Sequence, residues 1–208
     1  MFTGIIQTIG RIEQVERRER SVHLRVQAAP IDATSLKVGD SVAVNGCCLT
    51  VTAIDGTHFH ADLSEETLAR TANLDRCGPV NLELSLALGD RIGGHLVLGH
   101  VDAVGTVLGL VPAGDSRALR VRAPQSLAPC LAFKGSLAVD GVSLTINRVE
   151  DSEQGCDVTI NLIPHTLAVT TLGQASAGQR VNLEVDPLAR YAERVVSSMA
   201  PALSRKTT

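Results

Sequence analysis

The chain has 208 residues, 44% of them hydrophobic, so it is long enough for one or two domains with sizeable cores. Aromatic residues make up only 2%, so the cores must be aliphatic and recognition cannot depend on aromatic stacking. The balance of 22 acidic to 19 basic residues gives a net charge of −3, which argues against nucleic acid as a main partner because phosphate contacts need clustered Lys and Arg.

Cysteine usage and apolar runs bear on the compartment. Five cysteines, an odd number without a C-x-x-C spacing, favour a reducing, cytoplasmic setting over a disulfide framework. No apolar run approaches the ~18–20 residues of a membrane span, and the first residues lack the basic start of a signal peptide. We therefore expect a cytoplasmic protein with no membrane partner.

The first part of the chain predicts a series of short strands. These are Gly4–Ile12, Ser21–Gln27, a hairpin over Ser41–Val51, Thr57–Leu63 and Val80–Leu86. A charged turn is expected over Glu13–Arg20, and a loop or helical turn over 30–37. Ser64 can cap a short helix that ends at Arg70, with two glutamates in its first turn.

The hairpin at Ser41–Val51 has two different faces. Its centre, Asn45-Gly46, predicts a type I′ turn, which needs a positive φ at both positions. Side chains alternate along a strand, so one face carries the larger apolar residues Val42, Val44, Cys47, Leu49 and Val51. The other face carries Ser41, Ala43, Cys48 and Thr50. This second face is too polar for a core, and its small residues leave room for something to lie against it.

The same pattern occurs again 95 positions later, in the hairpin Ser136–Ile146 with Asp140-Gly141 at its turn. Other stretches also repeat: Gly99–Val107 matches Gly4–Ile12, Ile163–Leu167 matches Ser64–Leu68, and Val181–Glu184 matches Val80–Glu83. Further strands are expected at Ala118–Ala123 and Asp157–Leu162. Many short strands with regular turn signals indicate an all-β barrel or sandwich, and two copies of roughly 90 residues fit two small closed barrels.

We therefore expect three parts: an N-terminal barrel over residues 1–88, a C-terminal barrel over 95–186, and a helix with a polar tail over 187–208. Residues 88–94 are the linker. Apolar residues recur at helical spacing in the last part, at Leu188, Tyr191, Ala192, Val195, Val196 and Met199. This helix belongs to neither repeat, so it is either an oligomer contact or packed on its own barrel.

Cys48 and His100 are the residues whose side chains are best suited to catalysis. Cys48 lies on the small face and Cys47 points the other way; Cys48 is either a site residue or a small core residue. His100 takes the place of Ile5 in the repeat, and an imidazole suits proton transfer, although a hydrogen-bonded loop histidine is the alternative. His95 and His100 form a weak zinc pair, because strand positions five apart lie on opposite faces and no cysteine pair is near. No metal is expected.

Several long, ordered motifs carry a resemblance to a known family. They are M-F-T-G-I-I at 1–6, S-V-A-V-N-G-C-C-L-T-V at 41–51, E-T-L at 66–68, G-G-H-L-V-L-G-H-V-D at 93–102, K-G-S-L-A-V-D-G-V-S-L-T-I at 134–146 and T-T-L-G at 170–173. Together they resemble the riboflavin synthase family over roughly residues 1–190. The resemblance implies two six-stranded Greek-key barrels, each binding one 6,7-dimethyl-8-ribityllumazine, and a homotrimer assembled by the C-terminal helix.

The reaction that the resemblance implies moves a four-carbon unit between two identical lumazines. The products are riboflavin and 5-amino-6-ribitylamino-uracil, and no metal or redox cofactor is needed. The productive site is expected to join the N-terminal barrel of one subunit to the C-terminal barrel of a neighbour. Two similar barrels are suitable holders for two copies of one substrate.

The resemblance also implies site residues. The N-terminal barrel would bind one lumazine through Gly4, Ile5, Ile6, Cys48, Leu49, Thr50, Asp62, Leu63, Ser64, Glu65, Glu66 and Thr67. The C-terminal barrel would bind the other through Gly99, His100, Val101, Lys134, Ser143, Leu144, Thr145, Asn161, Leu162, Ile163, Pro164, His165 and Thr166. Ser41, Cys48, His100 and Asp186 match catalytic positions. His100 is expected to move a proton of the acidic C7 methyl, while Ser41 and Cys48 assist or supply the nucleophile that adds at C7 of the other lumazine.

Two other functions compete with this one. The first is a non-catalytic lumazine- or flavin-binding fluorescent protein, which we would expect to lose the histidine of the G-H-V motif. The second is a β-barrel interaction module, which would be free to fill the small hairpin faces. The presence of Ser41, Cys48 and His100 favours the enzyme.

Overall fold

The computed structural model describes residues 1–28 and 36–204, which form two closed antiparallel barrels followed by a helix. The first barrel contains β1 (Thr8–Arg17), β2 (Ser21–Gln27), β3 (Ser41–Val44), β4 (Cys47–Asp55), β5 (His58–Ser64), α1 (Glu65–Arg70) and β6 (Gly78–Leu84). The second contains β7 (Ala103–Ala113), β8 (Ser116–Ala123), β9 (Ser136–Val139), β10 (Val142–Ser152), β11 (Gly155–Leu162), α2 (Pro164–Val169) and β12 (Arg180–Val185). Single 3₁₀ turns cover Gln125–Cys130 and Thr171–Gln174, and α3 (Pro187–Ser204) follows the second barrel.

Both barrels have the same Greek-key order. The first closes as β1-β2-β5-β4-β3-β6, and the second as β10-β11-β8-β7-β12-β9, which is the same ring entered at a different strand. In each, the second strand of the repeat pairs with the fifth and so passes over the central hairpin. The expected all-β architecture with two six-stranded barrels and a C-terminal helix is confirmed.

The two central hairpins have the predicted register. Ser41 pairs with Thr50 and Val44 with Cys47, and the second hairpin repeats this pairing. Asn45 and Gly46 have φ values of 45° and 78°, and Asp140 and Gly141 have 46° and 80°, as a type I′ turn requires.

The larger faces of the hairpins enter two separate aliphatic cores. Val42 and Leu49 are buried in the first core, and Leu137 and Leu144 in the second. Phe59 is the aromatic residue of the first core. Since a hydrophobic side chain of this size contributes about 1.5–3 kcal/mol when buried, these alternating positions commit each repeat to its own core.

The start of β1 and the following turn were predicted wrongly. The strand begins at Thr8 rather than Gly4 and continues to Arg17, so most of Glu13–Arg20 is strand and not turn. The charged residues of this stretch lie on the outside of the barrel, where Arg25 of the neighbouring strand bonds to Glu13 at 3.0 Å. Of the loop expected over 30–37, residues 30–35 lie outside the described residues, as do residues 205–208 of the predicted tail.

The barrels are joined by a symmetric network of buried asparagines. The Asn81 side-chain amide donates to the backbone oxygen of Asp140 at 2.9 Å, and that of Asn182 donates to the backbone oxygen of Asn45 at 3.0 Å. All four residues are nearly inaccessible to water. Each repeat therefore holds the turn of the other repeat's hairpin, and the two hairpin tips abut.

The C-terminal helix exposes its apolar stripe. Leu188 and Tyr191 are each 70% exposed, and Val195, Val196 and Met199 also face outward. Arg190, on another side of the helix, bonds to Asp102 of the second barrel at 2.9 Å. Within the described ranges, no helix is both long and apolar enough to cross a membrane.

Candidate active site

Two short segments cross between the barrels. We call Thr3–Ile6 arm 1 and Leu98–Val101 arm 2; they precede the first strand of each repeat. In arm 1 the carbonyl oxygen of Gly4 accepts a 2.8 Å hydrogen bond from the backbone amide of Ser143, which belongs to the second barrel. In arm 2 the oxygen of Gly99 accepts a 2.9 Å bond from the amide of Cys48 in the first barrel. Each arm thus lies on the hairpin of the other repeat.

Close approach explains the glycine in each arm. A Cβ at Gly99 would lie 2.5 Å from the Cβ of Cys48, and one at Gly4 would lie 2.6 Å from the Cβ of Ser143. Both glycines also have positive φ values, +78° and +75°, which disfavour other residues. The small hairpin face that the sequence analysis left open is therefore covered in part by an arm of the same chain.

The first half-site is a cavity of about 380 Å³ between the first barrel and arm 2. Its lining contains the residues of the hairpin, the short helix α1 and the arm: Cys47, Cys48, Glu66, Thr67, Arg70, Thr71, Gly99, His100, Val101 and Asp102. His100 is exposed towards this space, and Val101 packs against the core of the first barrel. An imidazole and a thiol thus border one cavity.

The second half-site forms where arm 1 meets the second barrel. The hydroxyl of Ser143 hydrogen-bonds to Nδ1 of His95 at 2.7 Å, and Ile6 packs against the core of the second barrel. The other ring nitrogen of His95 is buried with no partner among the described residues. Burial lowers the pKa of His95, and the nearby charge of Asp186 acts in the opposite direction.

The structure corrects the expected division of residues between the barrels. The arms are exchanged: Gly99, His100 and Val101 lie with Cys48 of the first barrel. Gly4 instead bonds to Ser143, and Ile6 packs against the core of the second barrel. Ile5, between them, lines a separate cavity with Glu83 and Leu84. The error arose because each arm was assigned to the barrel that follows it in sequence. A main chain with a left-handed glycine can turn away from its own strand, and the two small hairpin faces are equally able to receive it.

Four of the predicted binding residues point into the cores. These are Leu49, Leu63, Leu144 and Leu162, each at most 8% exposed. Only their main-chain groups can face a ligand. Their neighbours Cys48, Thr50, Ser143 and Thr145 alternate with the core residues and lie on the opposite strand face.

The remaining predicted residues of the first barrel are placed around α1. The Ser64 hydroxyl accepts a 3.1 Å bond from the amide of Thr67 and caps the helix as predicted. Glu66 is bonded to Arg70 at 3.1 Å, and Glu65 is exposed beside it. Asp62 instead lies on the outer face, where it bonds to His23 at 2.6 Å.

In the second barrel the equivalent segment follows β11. Pro164 begins α2, as its position in the repeat predicted, and Ile163 before it is 52% exposed. Asn161 is also exposed, and His165 and Thr166 lie within α2. Lys134 has a φ of +65°, and its amide bonds to the backbone oxygen of Ile146.

The four candidate catalytic residues do not form one cluster. Cys48 and His100 line the first cavity together, and Ser41 shares the strand face of Cys48. Asp186 stands apart from them. Its carboxylate accepts a 2.9 Å bond from the amide of Leu188, and its charge acts on His95 of the second half-site.

Cys47 and Cys48 lie on opposite strand faces as predicted, although both contribute to the lining of the first cavity. Burial raises the pKa of the Cys47 thiol to about 12, with smaller effects of Cys48 and Glu184, so Cys47 remains a neutral core thiol. Among the described residues, no group of three or more His, Cys, Asp or Glu side chains could hold a metal ion. His95 and His100 belong to different half-sites.

Three residues that shape these half-sites were not identified as such from their sequence patterns. His95 was considered only as a zinc ligand, although its position just before arm 2 was a usable signal. Glu83 and Glu184 appeared only as part of a repeated V-N-L-E motif. Their carboxylates are buried and bind the backbone of the two arms.

Two equivalent barrels, each carrying the arm of the other repeat on its hairpin, define a tandem-repeat protein with a cavity at the first of these two contacts. A family model described as lumazine binding domain matches the chain twice, over residues 3–85 and 98–186. The riboflavin synthase of Photobacterium phosphoreum is 42% identical over 94% of this chain and 89% of its own length. The riboflavin synthase of Brucella abortus is 43% identical over 94% of this chain and 98% of its own length.

Solved structures of a lumazine-binding protein have a similar fold. Crystal structures of LumP complexed with 6,7-dimethyl-8-(1'-D-ribityl) lumazine and with riboflavin match with TM-scores of 0.77 and 0.78 and identities of 26% and 27%. Each match covers 89% of this chain and 99% of that one. The chain belongs to the lumazine-binding family and, within it, to the riboflavin synthases.

Proposed function

We propose that the chain catalyses the dismutation of two 6,7-dimethyl-8-ribityllumazine molecules to riboflavin and 5-amino-6-ribitylamino-uracil. The observation that carries this proposal is the pair of equivalent half-sites, each formed by the hairpin of one repeat and the arm of the other. A reaction between two identical substrates needs two similar holders. The two lumazines contain every atom of the two products, so the transfer of the four-carbon unit requires no external oxidant.

Orientation is the main contribution of the two half-sites. Holding both lumazines in a reactive arrangement can supply about 7–11 kcal/mol of the barrier. In the first half-site His100 removes a proton from the methyl group on C7 of the bound lumazine. The methyl carbon can then attack the second lumazine. Cys48, with Ser41 on the same strand face, assists or supplies the nucleophile that adds at C7 of the other lumazine.

The two half-sites differ in the residues that they present. The hairpin offers Cys48 in the first and Ser143 in the second, and His100 of arm 2 has Ile5 as its counterpart in arm 1. We assign proton transfer to the half-site with His100, and binding of the second lumazine to the half-site of Ser143. The binding residues are those of the hairpins, the arms and the segments 62–67 and 161–166.

The productive site is proposed to form between subunits of a homotrimer in the cytoplasm. Support comes from the exposed apolar stripe of α3, which includes Tyr191, Val195 and Val196. A stripe of this kind on an otherwise polar helix suits contact with the same helix of further copies. Subunit contact brings the first half-site of one chain towards the second half-site of another.

A lumazine- or flavin-binding protein without activity is the second candidate. It is favoured by the structural similarity to LumP, whose structures contain lumazine, riboflavin or flavin mononucleotide. However, identity to LumP is 26–27%, against 42–43% to the riboflavin synthases. The presence of His100 and Cys48 in one cavity also favours the enzyme.

Incubation of the purified protein with the lumazine alone separates these candidates. The enzyme forms riboflavin in about half the molar amount of lumazine consumed, as the stoichiometry requires. Tight lumazine binding without any riboflavin over hours would contradict the proposed activity and leave the binding protein.

A further inference from the structure

Glu184 binds the backbone of arm 2 directly. Its carboxylate is 3% exposed, and its two oxygens accept hydrogen bonds from the amides of Leu98 at 2.8 Å and Gly99 at 2.9 Å. The next residue along the arm is His100. The side chain therefore fixes the main chain from which the imidazole projects into the first cavity.

Glu83 occupies the equivalent position in the first repeat and makes the equivalent contacts. It is also 3% exposed, and it accepts bonds from the amide and hydroxyl of Thr3 at 2.7 and 2.8 Å and from the amide of Gly4 at 2.9 Å. The next residue along this arm is Ile5. The same carboxylate-to-backbone hydrogen bonds thus precede the apolar Ile5 in arm 1 and the titratable His100 in arm 2.

A carboxylate suits this position better than an amide. Glutamine offers one acceptor oxygen and a donor group, so it cannot accept from two adjacent N–H groups in the same way. A buried carboxylate carries a desolvation cost of several kcal/mol, which these amide donors offset in part. Burial raises the pKa of Glu184, the bonds from Leu98 and Gly99 lower it, Asp102 raises it, and His100 lowers it.

Other charged groups of this region are paired. Asp102 is bonded to Arg190 at 2.9 Å, and Glu66 to Arg70 at 3.1 Å. Each pair carries no net charge. Glu184 is instead bonded to uncharged peptide groups, so both of its carboxylate oxygens are committed to the main chain of arm 2.

We propose that Glu184 is a positioning residue of the reaction, which aims His100 at the lumazine beside Cys48 by holding the main chain of arm 2. Glu83 makes the equivalent contacts with arm 1, where no titratable group follows. The inference rests on the proposed function, because the position of the imidazole matters only if His100 moves a proton.

The test compares Glu184→Gln with Glu83→Gln in the full chain. We expect Glu184→Gln to lower kcat by about 10- to 100-fold, since displacement of a catalytic group by about 1 Å has effects of this size, while KM changes much less. In an NMR spectrum with labelled histidine, the ring resonances of His100 should move in Glu184→Gln, because arm 2 is displaced. They should stay at their wild-type positions in Glu83→Gln, which leaves the contacts of arm 2 intact.

Equal kcat losses in the two variants with unchanged His100 ring resonances would overturn the inference, because the two carboxylates would then have a structural role only. If Glu184→Gln does not fold, Glu184→Asp keeps the charge and withdraws it by one methylene. In that variant kcat should fall while KM changes much less; an unchanged kcat would overturn the inference. Failure of the proposed function is a separate outcome, recognised when the wild-type chain binds lumazine but forms no riboflavin.

Discussion

The backbone amide of Cys48 donates a 2.9 Å hydrogen bond to the carbonyl oxygen of Gly99, so the hairpin of one repeat and the arm of the other form one half-site. The bond between Ser143 and Gly4 repeats this arrangement with the repeats exchanged. The arm that lies on each hairpin therefore comes from the other repeat. Substitutions in one repeat should therefore affect ligand binding beside the other repeat's hairpin.

Replacement of Gly99 by Ala tests this close approach. The new Cβ would lie 2.5 Å from the Cβ of Cys48 at a φ of +78°, so we expect arm 2 to be displaced and unfolding to become easier by about 1–3 kcal/mol. Gly56→Ala is the control, because Gly56 has a φ of +58° with open space around it. Urea unfolding and lumazine titration measure both effects. Equal losses in the two variants would show that backbone strain alone is responsible.

Replacement of the two histidines should separate the half-sites. His100→Ala should lower kcat by about 10²–10⁴-fold, the usual range for loss of a general acid or base, and leave lumazine binding in the second half-site intact. His95→Ala removes the 2.7 Å bond to Ser143 and should weaken lumazine binding at the second half-site. Fluorescence titration and single-turnover rates measure binding and chemistry separately. Similar loss of binding in both variants would contradict this assignment.

Alkylation should distinguish the neighbouring cysteines. Burial raises the pKa of Cys47 and of Cys156 to about 12, so at pH 8 only about one molecule in 10⁴ carries either thiolate. Cys48 is partly exposed in the cavity and Cys77 is exposed. We expect iodoacetamide to modify Cys48 and Cys77 and to spare Cys47 and Cys156, as peptide mass spectrometry would show. Bound lumazine should slow the reaction at Cys48 and not at Cys77; equal rates at Cys47 and Cys48 would contradict the geometry.

Asp140 should make stability depend on pH. Burial raises its pKa from 3.8 to about 7, so between these values the unfolded chain releases a proton that the folded chain retains. The stabilisation is complete below about pH 4 and is lost as the pH rises towards 7, a fall of roughly 4 kcal/mol in the free energy of unfolding. Asp140→Asn should remove this slope, and its amide oxygen can still accept the bond from the amide of Asn182.

Asn45 shows that the asparagine fits, since its side-chain oxygen accepts the equivalent bond from the amide of Asn81 at 2.8 Å. Urea unfolding of the wild type and of Asp140→Asn at about pH 4 and pH 8 provides the comparison. The variant should be the more stable protein at the higher pH. A difference between the two proteins that does not change with pH would show that Asp140 ionises normally.

The proposed trimer predicts a specific effect on α3. Val195→Lys places a charge in the exposed apolar stripe, so burying it in a helix contact would cost several kcal/mol. Analytical ultracentrifugation should detect smaller species, and kcat should fall because the productive site spans two subunits. Ser197→Lys adds the same charge to the opposite side of the helix and should leave both unchanged. A wild-type chain that sediments as a monomer would contradict the proposal.

Much of the fold could be predicted because its determinants are local. Asn45-Gly46 and Asp140-Gly141 require positive φ values, which set the hairpin register and hence the face of every hairpin side chain. Repetition of that pattern 95 positions later established two copies of one barrel. Cys48 and Cys47 were correctly assigned to opposite faces by parity alone.

The tertiary structure decided which segments meet. The two hairpins have the same small face, so periodicity contains no information on whether arm 2 lies on one or on the other. Long-range hydrogen bonds make that choice, such as the bond from the amide of Cys48 to the oxygen of Gly99 and the bond from the amide of Gly99 to the carboxylate of Glu184. The sequence by itself thus determined the barrels and their faces through local backbone preferences, whereas only the tertiary structure placed His100 with Cys48 and His95 with Ser143.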